Sequence, residues 1–98
     1  MTAASRPYRV TPVFDEDTLP QALRNAHNTK AGVWGLIRVL EGELRYVIAD
    51  PAAEQILRPG RPGLVSPQQL HFVEPLGPMR IQVEFYDAPP DLAAAGRD

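Results

Sequence analysis

Eleven prolines and seven glycines in 98 residues constrain this chain more than any other feature. Proline lacks the N–H that helix and sheet ladders need, and glycine favours turns. Punctuation at about twice the usual proline frequency excludes a helical bundle and predicts short strands joined by tight turns. A chain of this length forms one domain with a modest core.

The apolar pattern fits that expectation. Tyr8 to Phe14 reads as an edge strand, since Pro12 is tolerated there. Asp17 or Thr18 is placed to cap a short helix over Leu19–Ala26, with Pro20 in its first turn and Leu19, Ala22 and Leu23 on one stripe. Val33 to Leu40 is apolar almost throughout, which predicts a strand covered on both faces. Gly42 then predicts a hairpin to the strand Glu43–Ala49. Short strands at Glu54–Leu57 and Leu70–Val73 lie either side of the double Pro-Gly turn Pro59-Gly60-Arg61-Pro62-Gly63. The last strand alternates strictly, with Met79, Ile81, Val83 and Phe85 on one face and Arg80, Gln82, Glu84 and Tyr86 on the other. The expected layout is a flexible N-terminus over 1–7, a β domain over 8–87 and a mobile tail over 88–98.

Composition narrows the chemistry. The net charge of -2 gives no electrostatic reason to expect nucleic acid or an anionic membrane as a partner. The absence of cysteine excludes disulfide scaffolds, thiolate metal sites and cysteine nucleophiles. No apolar run reaches the length of a membrane span and Met1–Tyr8 has no signal-like core, so a cytoplasmic location is expected. No nucleotide-binding motif is present.

His27 and His71, 44 positions apart, are the only histidines. If the sheet folds back on itself, the two rings can meet inside it. With one carboxylate they would match the two-histidine, one-carboxylate pattern that holds iron and also suits zinc or nickel. Glu74 and Glu84 are the candidates. Glu84 stands on a regular strand face, whereas Glu74 points away from His71 unless the strand bulges before Pro75. Lys30 and Arg38 are candidate anion contacts, and Trp34 either floors a pocket or belongs to the core. Arg38 interrupts an apolar strand, and pairing with a carboxylate such as Glu84 or Glu43 is the favoured reading there. No residue stands out as catalytic.

Certain runs also resemble a known family. Arg38-Val39-Leu40-Glu41-Gly42-Glu43-Leu44 is similar to the end of the first cupin motif, and Pro59-Gly60 through Pro67 to His71 is similar to the second. More closely, Tyr8–Phe14, His27–Gly35, His71–Glu74 and Val83–Tyr86 resemble the TehB/YeaR-like domain family of small cupins, found alone or attached to a tellurite-resistance methyltransferase. The resemblance implies an all-β, single-domain jelly-roll sandwich (a double-stranded β-helix) with one short N-terminal helix. It places His27 and His71 at cupin ligand positions, while Thr29 stands where a second histidine is usual and Gly35 lies near the glutamate position.

The leading expectation is therefore a small cytoplasmic cupin that binds a divalent metal (zinc, iron or nickel) and a small anion or metabolite. A link to tellurite or oxyanion stress is implied by the resemblance, and a homodimer would cover the outer apolar face. The alternative is a non-metallated ligand-binding or regulatory module without catalysis, such as one assisting a methyltransferase. A pure interaction subunit would have an interior filled by Trp34, Phe72 and Phe85.

Overall fold

The computed structural model describes residues 6–50 and 52–90. Nine short elements follow one another: β1 (Arg9–Val10), β2 (Phe14–Asp15), α1 (Gln21–Arg24), β3 (Trp34–Glu41), β4 (Leu44–Ile48), β5 (Ala53–Leu57), β6 (Gly63–Val65), β7 (His71–Pro75) and β8 (Arg80–Tyr86). They form two antiparallel sheets, one ordered β1-β8-β3-β6 with β2 also on β8, the other β5-β4-β7. No described helix is long and apolar enough to cross a membrane.

The expected first strand is split in two at Pro12. Thr11 spans the break: its N–H donates to the Val83 carbonyl, and its hydroxyl accepts from the Val83 N–H at 3.0 Å. The helix is shorter than expected, a single turn. Neither Asp17 nor Thr18 caps it, because Asp15 and Thr18 are engaged with each other in the preceding turn. The N-terminal residues 1–5 and the tail residues 91–98 of the expected layout lie outside the described residues.

The predicted hairpin at Gly42 does not form. Among the described residues β3 pairs with β6 and β8, and β4 with β5 and β7, so Gly42 carries the chain from one sheet to the other. Its φ of 75° is one that glycine adopts freely, and a Cβ there would stand 2.3 Å from the Pro78 carbonyl oxygen.

Between the sheets lies the core, with Ile37, Val39, Leu44, Tyr46, Leu57, Val65, Val73, Met79 and Ile81 all buried. Strand alternation sorts the rest. On β8, Ile81 and Val83 face inward, while Glu84 and Tyr86 are on the outer face beside Trp34, Leu36 and Arg38 of β3.

Candidate functional site

At one end of the sandwich the inner faces are not filled. A cavity of about 290 Å³ opens between the sheets, walled by the apolar side chains of Ile37, Val65, Val73, Ile81, Val83 and Phe85. Its polar lining comes from Tyr8, Arg9, Thr11, His27, Asn28, Thr29, Lys30 and His71. A space this size is at the lower edge of the range for small-molecule sites, roughly 300–1,000 Å³.

The two histidines meet here, although one is in a loop and the other opens β7. They form an isolated antiparallel bridge in which each backbone N–H donates to the other's carbonyl at 2.9 Å. The side chains therefore stand side by side, ring centroids 4.1 Å apart and inclined by 54°. Both rings are anchored in the same way. Nδ1 of His27 lies 2.9 Å from the Asn25 carbonyl oxygen, and Nδ1 of His71 lies 2.8 Å from that of Gln69. A carbonyl can only accept, so Nδ1 carries the proton and the neutral ring has Nε2 as its acceptor. Tyr46 presents its ring edge-on to His71 at 5.8 Å, its hydroxyl donating to the Leu64 carbonyl.

Burial pushes His71 below the ordinary imidazole value of 6.5, and the neighbouring His27 adds to this against the opposing bond to Gln69. The unfolded chain thus takes up this proton at a higher pH than the folded one. The stability present above 6.5 is lost as pH falls through the folded value. Urea unfolding across that window is expected to show a falling midpoint, with a flatter slope in His71→Phe. Equal slopes would show that His71 is not the group responsible.

The other candidate residues are dispersed. Lys30 lines the cavity and is exposed. Trp34 and Arg38 are on the outer face of β3, opposite the cavity-lining Gly35 and Ile37. Glu84 is beside Arg38, Nε to Oε2 3.2 Å with both side chains 15% exposed, and accepts a 2.7 Å bond from the Tyr86 hydroxyl. Burial, with this bond to Glu84, pushes the Tyr86 phenol up to about 12. Glu74 is on the outer face of β7 and pairs with Arg45 at 3.0 Å. Sequence reasoning missed Arg9, which lies opposite Phe85 on β1 and lines the cavity. No local signal marked it, because β1 is two residues long and its partner β8 lies far along the chain. Phe85 lines the cavity, whereas Trp34 and Phe72 are on outer faces, so these three rings do not fill the interior.

This geometry corrects the expected zinc, iron or nickel site. Both carboxylates face away from the imidazole pair and are held by arginines. Among the described residues no group of three or more His, Asp or Glu is placed to hold a metal ion.

Comparison with known proteins points the same way. The family profile described as the TehB-like domain matches residues 9–83. A probable S-adenosyl-L-methionine-dependent methyltransferase TehB of Haemophilus influenzae is 40% identical over 74 residues, which is 70% of this chain and 26% of that protein. Its counterpart in strain 10810 is 39% identical over the same length. The crystal structure of TehB from Haemophilus influenzae superposes with a TM-score of 0.76 at 35% identity, over 85% of this chain and 31% of that one. A protein of Escherichia coli K12 superposes with a TM-score of 0.74 at 22% identity, over 85% of this chain and 90% of its own; that likeness shows the fold. The chain spans about a quarter of the length of the curated relatives it matches. Those relatives are named for S-adenosyl-L-methionine, and the expectation of a metal-binding cupin is overturned.

Proposed function

Since the chain belongs to the TehB-like domain family, we propose that it is a metal-independent small-molecule-binding module serving S-adenosyl-L-methionine-dependent methyl transfer, its cavity taking a small organic anion. The methyl donor's own site belongs, on this reading, to the three quarters of the named relatives that this chain does not match. A double-sheet jelly roll is the scaffold in this reading, supported by a path that crosses between the sheets from β3 to β4, β5 to β6, β6 to β7 and β7 to β8.

The observation that carries the proposal is the cavity's sorted lining. Its walls are apolar, and the exposed cations Arg9 and Lys30 have no acidic partner among the described residues. No described Asp or Glu lines it. A short acid would place its carboxylate at the cations and its chain on the walls, burying apolar surface worth about 25 cal/mol per Å².

Calorimetric titration of chelator-treated protein with butanoate tests this. Binding is expected with or without chelator, weakened about three- to tenfold by Arg9→Ala or Lys30→Ala, as suits exposed charges. Binding that requires added metal, or an affinity indifferent to both cations, would overturn the reading.

A further inference from the structure

Building on the anion-binding reading, we infer that the cavity selects acids whose far end carries a primary carboxamide, its two N–H groups donated to the Nε2 atoms of His27 and His71. The bridge and the two carbonyl anchors fix both rings in one tautomer, and their centroids lie 4.1 Å apart. The cavity thus presents two acceptors side by side. A hydroxyl satisfies only one of them, and an NH₂ group can serve both. The two threonine hydroxyls of the lining are already engaged. The Thr29 hydroxyl donates to the Val33 carbonyl at 2.9 Å, and that of Thr11 to the Pro12 carbonyl at 2.9 Å.

Charge decides between an amide and an ammonium. The charged side chains lining the cavity are Arg9 and Lys30, and no described carboxylate faces the rings from any strand. An ammonium group would enter a cationic, half-apolar space with nothing to neutralise it. A neutral amide has no such cost, and its hydrogen bonds to the two ring acceptors are those an unsubstituted chain forfeits.

The test compares three four-carbon acids on chelator-treated full chain: butanoate, 4-hydroxybutanoate and 4-amino-4-oxobutanoate. The expected order of affinity is amide, hydroxyl, methyl, with the amide acid tighter than butanoate by roughly ten- to thirtyfold, the worth of two neutral hydrogen bonds. His71→Leu should erase the preference of the amide acid over butanoate. His27→Leu, at a partly exposed ring, gives the same reading if the first variant does not fold. Lowering the pH should also erase it in the unaltered protein, since a protonated ring has no acceptor left. Equal affinities for the three acids, or a preference that survives both variants, would overturn the inference and leave the anion reading standing. If none of the three binds, both fall together.

Discussion

Gly42→Ala is expected to cost the fold about 2–5 kcal/mol, combining a left-handed backbone with overpacking. The Cβ would stand 2.3 Å from the Pro78 carbonyl oxygen and 3.0 Å from Met79 Cα, so backbone must move on one side or the other. The loss matters because typical domains are stable by only about 5–15 kcal/mol. Gly60 supplies the control. Its φ of 84° is also positive, but nothing lies within 4 Å of its Cβ position. Gly60→Ala therefore carries the backbone term alone, about 1–2 kcal/mol. Urea unfolding of both variants separates the two effects. Equal losses would show that the turn between β3 and β4 is not packed against the Pro78–Met79 segment.

Ile81→Ala should be comparably damaging and functionally more informative. Ile81 is fully buried near the start of β8, opposite Val39 of β3 and Phe14 of β2, and it also walls the cavity. Removing three carbons from such a site typically costs about 2–5 kcal/mol, of which part is the space left behind. Here that space joins an existing cavity. The variant is therefore expected to unfold earlier yet to bind bulkier acids, such as benzoate, more tightly than the parent does. Saturating benzoate should then restore part of the lost stability, because a ligand that binds only the folded state stabilises it by mass action. A variant that is destabilised but gains nothing for benzoate would indicate that the cavity closes up when its wall is cut back.

The legible parts of the sequence were those with a period. Met79 to Tyr86 alternates without exception, and its two faces in the structure are those the pattern predicts. The same rule set His71 against Glu74, because no bulge intervenes before Pro75. The faces of β3 were not legible. A run that is apolar at nearly every position has no alternation to read, so Trp34 and Arg38 could not be assigned to the cavity or the outer surface. Gly42 marked a change of direction, but turn chemistry alone does not say which sheet the next strand will join. The metal expectation failed at its carboxylates. Two imidazoles did converge, but alternation had already turned Glu74 away from His71, and Arg38 holds Glu84 as its place in an apolar strand predicted; only the Arg45–Glu74 pair had no signal in the sequence. Arg9 escaped notice because β1 is only two residues long and its neighbour β8 is more than seventy positions away.

Long-range ¹⁵N–¹H spectra of the two imidazoles, recorded on chelator-treated protein before and after addition of the amide acid, bear most directly on the cavity as a binding site. Both rings should carry a proton on Nδ1, and both Nε2 resonances should move on titration while the Nδ1 signals stay nearly fixed. A proton on Nε2 of either ring, or Nε2 resonances unmoved at saturating ligand, would contradict the account.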